Sequence, residues 1–328
     1  MNYFENTSYI TRSALIGQAV GDALGVPVEF LNRATVRSIN LTEMIGNDVP
    51  HIFYSRWGDM IPAGAWSDDT SMTIATMASI ADRKQLDFND IMLRFIEWWY
   101  AGKYGSLKFP FGLGGTIGIA LTNYLKNVPA INCGPEGFKD NGNGALMRIL
   151  PFSLYCIFND LDFTTTRDII YTASGLTHGH IISKFACLVF TIFLNELLFN
   201  DSIEQAWENT RQLSYTNCID HDSFGAFGQL FAPDFISKAE NIIGETGYVV
   251  DTLMTAVYSM LTGHDYESTI LTAINMGYDT DTNAAVTGAL AGAFYGIDSI
   301  PDRWKKKLLK RHILTRYADK FATAIVRP

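Results

Sequence analysis

Two segments near opposite ends of the chain carry a glycine at every fourth position. These glycines are Gly17, Gly21 and Gly25 in the first segment and Gly288, Gly292 and Gly296 in the second. Residues four positions apart lie on one face of an α-helix, so both segments predict a helix with a face free of side chains. Each glycine within a helix costs about 1 kcal/mol relative to alanine. The pattern therefore indicates two helix backbones in close contact, and the two segments are candidate partners for each other.

Helical periodicity extends over most of the chain, and few segments show the alternation typical of strands. No linker, low-complexity segment or tandem repeat divides the 328 residues. We therefore expect an all-α fold, a single compact multi-helical domain over residues 1–328. Residues 27–64 are expected to form an irregular surface segment, and residues 215–244 have no clear period. The predicted helices cover residues 13–25, 67–83, 145–158, 164–174, 181–200, 201–213, 246–261, 266–276 and 301–326, with further helices after Asp87 and Thr282.

The composition limits the classes of partner. The formal net charge of −9 disfavours binding to nucleic acid. The cysteines form no C-x-x-C pair and are expected to be buried free thiols in a reducing compartment. Residues 1–6 lack a basic region and are not expected to start a signal peptide, and the most apolar run, residues 185–199, is predicted to be too short to span a bilayer. We expect a cytoplasmic protein with no nucleic-acid or membrane partner.

Two acidic segments each stand directly before an apolar run. The first, residues 67–70, reads Ser-Asp-Asp-Thr, and the second, residues 279–282, reads Asp-Thr-Asp-Thr. Such side chains at a helix start accept hydrogen bonds from the free amides of the first turn, which accounts for one carboxylate in each segment. It does not account for two, because neighbouring carboxylates repel each other unless a cation compensates their charge.

The paired carboxylates indicate a metal site, because Mg²⁺ and Mn²⁺ prefer oxygen ligands of this type. We expect the two acidic segments to converge and to hold one or two such ions. The alternative is two capped helices whose aspartates are solvated. That alternative is favoured for either segment considered alone, whereas the two segments together favour the metal.

Short motifs along most of the chain resemble those of the ADP-ribosylglycohydrolase family and follow the same order. This family includes dinitrogenase reductase-activating glycohydrolase and the ADP-ribosyl-acceptor hydrolases. Each motif is weak alone, whereas their number and order are specific. The motifs are Gly21-Asp22-Ala23-Leu24-Gly25 with Pro27 and Glu29, Ser67-Asp68-Asp69-Thr70, Phe111-Gly112-Leu113-Gly114, Gly142-Asn143-Gly144-Ala145-Leu146-Met147-Arg148, Thr177-His178, Gly247-Tyr248-Val249-Val250-Asp251-Thr252-Leu253 and Asp279-Thr280-Asp281-Thr282.

The resemblance implies an all-α fold with a site for two divalent cations, Mg²⁺ or Mn²⁺, between helix N-termini and loops. The implied metal ligands are Ser67, Asp68, Asp69, Asp279, Asp281 and Thr282. Glu29 and Asp279 are the candidates for the group that takes the proton of the attacking water, and the sequence does not choose between them. The residues implied to approach ADP-ribose are Glu29, Gly112, Gly114, Asn143, Gly144 and His178, and the position of Tyr278 adds that residue.

Three positions depart from the family pattern. Ser67 replaces the usual threonine and keeps the hydroxyl. Tyr278 replaces the second glycine of a Gly-Gly-Asp motif, where its ring would line the ribose pocket or shift the backbone of Asp279. Asp140 and Asn141 replace small residues, and an added carboxylate would be unfavourable beside a diphosphate.

The resemblance implies a metal-dependent hydrolase that removes ADP-ribose from a modified protein or a small ADP-ribose conjugate. An arginine-linked substrate is favoured, because a guanidinium already carries positive charge and leaves without a strong acid. The alternatives are hydrolysis of serine-linked, poly- or O-acetyl-ADP-ribose, a non-catalytic ADP-ribose-binding relative of the same fold, and a different two-metal hydrolase such as a phosphoesterase.

Overall fold

The computed structural model describes residues 3–47 and 61–325, and in these ranges the chain forms sixteen α-helices and no β-strand. The all-α prediction is confirmed. Residues 48–60, part of the segment predicted to be irregular, lie outside the described residues. The helices are α1 (Tyr3–Gly25), α2 (Arg33–Ile39), α3 (Asp68–Arg83), α4 (Phe88–Ala101), α5 (Gly115–Leu125), α6 (Leu150–Phe158), α7 (Phe163–Gly175), α8 (Ile181–Phe199), α9 (Ile203–Gln212), α10 (His221–Phe224), α11 (Phe235–Ile242), α12 (Val249–Thr262), α13 (Tyr266–Ile274), α14 (Thr280–Tyr295), α15 (Asp302–Lys307) and α16 (Arg311–Ile325).

The two glycine-bearing helices, α1 and α14, pack directly on each other. A Cβ atom at Gly17 would overlap the carbonyl oxygen of Gly288, and one at Gly21 would overlap that of Ala284. At the next position, a Cβ atom at Gly25 would overlap the backbone of Asp281. The predicted backbone contact between the two segments is confirmed, and it reaches the second acidic segment.

The central helices are buried almost throughout. Every residue of α14 from Thr280 to Ala293 is buried, which suits a helix that is apolar and small-sided on all faces. Helix α8 has 19 residues and is apolar enough to pass for a membrane span by length and composition. The expectation that this segment is too short was therefore wrong. Two thirds of its most apolar window (67%) is buried inside the protein, where it packs against α7, α9 and α12.

Several segments differ from their sequence predictions, including the start of α1 at Tyr3 and the division of residues 301–326 into α15 and α16. Helix α2 lies within the segment predicted to be irregular, and α10 and α11 lie within the segment without a clear period. The helix predicted over residues 145–158 starts only at Leu150, after a 3₁₀ turn. Pro151 explains this late start, because it has no amide hydrogen with which to continue an α-helix from Met147. The Met147 carbonyl instead accepts a hydrogen bond of 2.7 Å from Gln18 Nε2.

The buried cysteines agree with the expectation of free thiols. Cys133, Cys156, Cys187 and Cys218 are all buried, and none forms a disulfide.

Gly21→Ala should destabilise the protein strongly, because the added methyl group overlaps the α14 backbone, which cannot move aside as a side chain can. We expect a loss of about 3 kcal/mol in the free energy of unfolding, measured by urea denaturation. The matched control is Gly118→Ala in α5, where the nearest atom to the new Cβ is 3.8 Å away. This control should gain up to about 1 kcal/mol from helix propensity. Equal stabilities of the two variants would contradict the close contact.

Candidate active site and metal centre

The N-termini of α3 and α14 bring the two acidic segments together. Asp68 and Asp69 lie in the first turn of α3, and Asp281 lies in the first turn of α14 after the N-cap Asp279. The Thr282 hydroxyl is 3.5 Å from Asp69 Oδ2, which directly joins segments 213 residues apart. The predicted convergence is therefore observed. Both helix dipoles direct their positive ends toward the carboxylates and partly offset the repulsion among them.

Helix α1 positions the first acidic segment through Asp22, a residue whose role the sequence analysis missed. Asp22 Oδ1 accepts a hydrogen bond of 2.8 Å from the Ser67 amide. Its Oδ2 accepts bonds from the amide of Thr70 at 3.1 Å and from the hydroxyl of Thr70 at 2.7 Å. The detectable signal was the pair of polar residues, Gln18 and Asp22, one turn apart in residues 14–25, a part of α1 that is otherwise apolar.

The carboxylates form a crowded and buried cluster. Among the described residues, oxygens of Asp22, Asp69 and Asp281 lie within 4.8 Å of one another, and so do those of Glu29, Asp279 and Asp281. Burial raises the pKa of Asp22 to about 6. Burial and the charge of Asp22 raise the pKa of Asp68 to about 8. Burial and neighbouring carboxylates also hold the pKa values of Asp69 and Asp281 well above their usual range.

The donor set fits hard divalent cations. Asp69 Oδ1 and Asp281 Oδ1 are buried, and neither has a hydrogen-bond partner in the described part of the protein. A buried carboxylate oxygen without a donor is costly, and a cation would remove that cost. The Ser67 hydroxyl donates a 2.9 Å hydrogen bond to Asp69 Oδ2. The ligand set implied by the resemblance is thus gathered at one place, together with Asp22 and Glu29.

A cleft of about 300 Å³ opens over this cluster. Most of the residues implied to act in the site line it, whereas Ser67, Asp69 and Tyr278 do not. The lining residues are Glu29, Phe30, Asp68, Gly112, Leu113, Gly114, Gly115, Thr116, Ile117, Gly142, Asn143, Gly144, Met147, His178, Gly247, Asp279, Asp281 and Thr282. No lysine or arginine is among these described residues, so the cleft is acidic on one wall and rich in glycine on the other.

The glycines that line the cleft allow other groups to come close to the backbone. Gly112 has a φ of +94°, and a Cβ atom there would overlap the carboxylate of Asp68. Gly114 is the N-cap of α5, and a Cβ atom there would meet nothing within 4 Å. The exposed amides at the start of α5, with the positive end of the helix dipole, form a surface suited to a phosphate group.

Hydrogen bonds from Asn143 hold the loop of residues 142–144 in place. Asn143 Nδ2 donates hydrogen bonds to Asp279 Oδ2 at 2.8 Å and to the Thr252 hydroxyl at 2.9 Å. The Asn143 amide donates to the Gly247 carbonyl at 3.1 Å. Asn143 therefore links the glycine-rich wall to the carboxylate wall.

Tyr278 lies beside the cleft and contacts it through Phe30. Its φ is +62°, a conformation that glycine adopts without strain, and Phe30 has a φ of +65°. The Tyr278 amide donates to the Leu31 carbonyl at 2.7 Å, and the two aromatic rings meet edge to face at 5.5 Å. The added carboxylate of Asp140 does not line the cleft, and its Oδ2 accepts a hydrogen bond of 3.1 Å from the Gly137 amide.

The metal-free protein should lose stability as pH rises. The folded-state pKa of Asp68 is about 8 against an ordinary value of 3.8, so the folded state binds more protons than the unfolded state between these pH values. The contribution of this carboxyl group to the free energy of unfolding is therefore largest below about pH 4, and it is lost as the pH rises through about 8. We expect the melting temperature in EDTA to fall between about pH 5 and about pH 8. At the higher pH, Mg²⁺ or Mn²⁺ at about a hundred times its Kd should raise the free energy of unfolding by about 2.7 kcal/mol.

Asp281→Asn tests the origin of this effect. The variant should show a smaller fall in EDTA and little stabilisation by the cations, whereas Asp222→Asn at the fully exposed side chain of Asp222 should behave like the wild type. A chelated wild-type protein whose melting temperature does not change with pH would contradict the repulsive cluster.

The chain matches known proteins over most of its length. A family model described as ADP-ribosylglycohydrolase matches residues 8–328. The chain is 29% identical to the ADP-ribosylarginine hydrolase Tri1 of Serratia proteamaculans, over 94% of this chain and 77% of that protein. It is also 29% identical to the ADP-ribosyl-dinitrogen reductase glycohydrolase of Rhodospirillum rubrum, over 90% of this chain and 88% of that protein. A solved structure of an ADP-ribosylglycohydrolase-related protein complex matches with a TM-score of 0.74 and 27% identity, over 98% of this chain and 100% of that one. The chain therefore belongs to the ADP-ribosylglycohydrolase family.

Proposed function

We propose that this protein hydrolyses the bond between ADP-ribose and an arginine side chain of a modified protein, with two divalent cations as cofactors. The observation that carries the proposal is the cleft itself, in which buried carboxylates from two helix N-termini face a glycine-rich wall. Asp68, Asp69, Asp279 and Asp281, with the hydroxyls of Ser67 and Thr282, would hold the cations. When bound, such ions bind hydroxyl groups of the substrate and lower the pKa of a water molecule, which prepares it as a nucleophile.

The glycine-rich wall supports ADP-ribose over a simple phosphate ester. The amides at the start of α5 and the loop of residues 142–144 together line one side of the cleft. The amides of the first turn of α5 suit one phosphate, and the glycines of the loop let a second phosphate come close to the backbone, so this wall suits a diphosphate better than the single phosphate of an ester. A second, largely apolar hollow adjoins this wall, shares Gly142 and Gly247 with the cleft, and is lined by Phe138 and Tyr248. The exposed ring of Phe138 there would suit the adenine base.

Two carboxylates of the chain are the candidates for the group that accepts a proton from the attacking water. Glu29 lines the cleft beside Asp279 and Asp281, and it is 5% exposed, so its carboxylate reaches the cleft from within the protein. Asn143 orients the carboxylate of Asp279 through its 2.8 Å hydrogen bond. These contacts support Glu29 and Asp279 as the two candidates that would accept a proton as water attacks the anomeric carbon.

The charge of the cleft supports arginine as the acceptor. Two divalent cations would balance the charges of Asp68, Asp69, Asp279 and Asp281, so Glu29 in the cleft lining is the carboxylate left to attract a guanidinium group. A guanidinium leaves as neutral guanidine without protonation, whereas a serine oxygen needs an acid of raised pKa or a cation. Carboxylates that hold cations are ionised and donate no proton, so the arginine-linked bond demands less of this site.

Phe30 and Tyr278 support the same acceptor. These residues are 42% and 37% exposed and lie next to Glu29 and Asp279 in sequence. A planar guanidinium packs favourably on an aromatic face. Phe30 lines the cleft, and Tyr278 supports Phe30, so this pair is placed to contact the acceptor at the mouth of the cleft.

The direct test is release of ADP-ribose from arginine-linked and serine-linked conjugates at equal enzyme. We expect release from arginine to be at least about tenfold faster, which corresponds to about 1.4 kcal/mol in the barrier. Release should require Mg²⁺ or Mn²⁺ and should be lost in Asp69→Asn and in Asp281→Asn. Faster release from serine would refute the acceptor assignment. Binding of ADP-ribose without release from any conjugate would identify a non-catalytic binder, and hydrolysis of a simple phosphate ester would identify a phosphoesterase.

Tyr278→Gly should change the recognition of the acceptor and leave the metal site intact. We expect KM for the arginine-linked conjugate to rise about threefold or more, because Phe30 loses its edge-to-face contact. The metal-dependent rise in melting temperature should stay the same, and the fold should be no less stable because glycine relieves the positive φ.

Tyr278→Phe is the matched control for this prediction, because it keeps the ring and should keep the wild-type KM. Unchanged kinetics of Tyr278→Gly on every acceptor would show that the aromatic pair plays no part in recognition.

A further inference from the structure

Arg148 is a buried cation without a carboxylate partner. Its side chain is fully buried, and among the described residues it forms no salt bridge. Its Nη2 donates to the Ala173 carbonyl at 3.0 Å and to the Thr177 hydroxyl at 2.6 Å, while Nε and Nη1 have no hydrogen-bond partner. The guanidinium lies over the ring of Phe95, at 5.2 Å from its centroid. Burial of an unpaired charge is costly, so packing alone does not account for an arginine here.

The hydrogen bond to Thr177 leads on to His178. The Thr177 hydroxyl lies 3.0 Å from His178 Nδ1, and Thr177 is fully buried. Arg148 can only donate, so it occupies a lone pair of the Thr177 oxygen. The Thr177 hydroxyl hydrogen then finds its partner in His178 Nδ1, because no other acceptor contacts it in the described part of the chain. A buried hydroxyl hydrogen without an acceptor would be costly, and this decides the direction of the bond.

A histidine that accepts at Nδ1 carries its proton on Nε2. His178 lines the cleft, and its Nε2 has no hydrogen-bond partner among the described residues. The ring lies against the loop of residues 142–144, where a Cβ atom at Gly144 would be only 2.9 Å from Cε1. The backbone of His178 is fixed as well, since its amide donates to the Ser174 carbonyl and its carbonyl accepts from the Ser174 hydroxyl.

We propose that Arg148 and Thr177 are positioning residues that fix His178 as a neutral hydrogen-bond donor, with Nε2–H directed into the cleft toward an oxygen of ADP-ribose. The relay runs from the Arg148 guanidinium through the Thr177 hydroxyl to Nδ1 of His178. Burial, together with the charge of Arg148, also lowers the pKa of His178 to about 3, which keeps the ring neutral. The identity of the ligand rests on the proposed function, whereas the relay itself does not.

Nitrogen-15 NMR of the histidine rings in the full chain tests the relay without any ligand. His178→Gln assigns the signals by their loss. In the wild type we expect Nε2 to be protonated and Nδ1 to have the shift of a hydrogen-bonded acceptor. Thr177→Ser should keep both signals, and Thr177→Val should move Nδ1 to the position of a nitrogen without a hydrogen bond. A proton on Nδ1 in the wild type, or an unchanged Nδ1 shift in Thr177→Val, would overturn the relay. If Thr177→Val fails to fold, the tautomer of the wild type, assigned through His178→Gln, still decides the direction of the bond.

Binding of free ADP-ribose, measured by calorimetry, tests the role of the relay. Loss of the orienting hydrogen bond in Thr177→Val should weaken binding roughly fivefold, and Thr177→Ser should restore it to within about twofold. The matched control is Thr210→Val in α9, since the Thr210 hydroxyl is also buried and donates only to the Ala206 carbonyl. Equal weakening in Thr210→Val and Thr177→Val would overturn the positioning role. A wild type with the expected tautomer but no affinity for ADP-ribose would instead refute the ligand, and with it the proposed function.

Discussion

The close approach of α1 to α14 is the constraint on which the rest of the structure depends. Glycines on both helices remove the side chains that would hold the backbones apart, and the Tyr266 hydroxyl donates to the Gly17 carbonyl at the same contact. The contact ends at Asp281, so the packing of the two helices also fixes the position of the Asp281 carboxylate. Larger side chains on either helix would displace the second acidic segment along with the helix that carries it.

Helix α1 uses two faces for this purpose. Its glycine face holds the start of α14, while Gln18 and Asp22 on another face hold the start of α3 through hydrogen bonds to Asp69, Ser67 and Thr70. One rigid element thus fixes the positions of both acidic segments. Rigid placement matters here because buried carboxylates repel one another, and a softer frame would let them separate.

The sequence was sufficient for much of the fold and for part of the site. Glycine spacing predicted the α1–α14 contact, and the paired aspartates predicted convergence, because both patterns carry an energetic cost that only tertiary structure offsets. Asp22 escaped notice because its three donors come from a segment 45 to 48 residues away. The direction of the Tyr278 ring depends on backbone angles that no local pattern encodes. The prediction for α8 failed because it rested on the length of the apolar run, whereas burial and not length distinguishes a core helix from a membrane span.

The hydrogen bond between the Thr280 hydroxyl and the Gly25 carbonyl joins residues 255 positions apart in the chain. A ribosome must therefore synthesise the 255 positions that separate these residues before α1 meets its partner. Until then, the glycine face of α1 and the carboxylates of α3 remain without the helix that completes them, and the nascent chain depends on other contacts for its stability. Hydrolysis of ADP-ribose conjugates would consequently begin only after synthesis reaches α14, and shortened chains that end before that helix would have no active site.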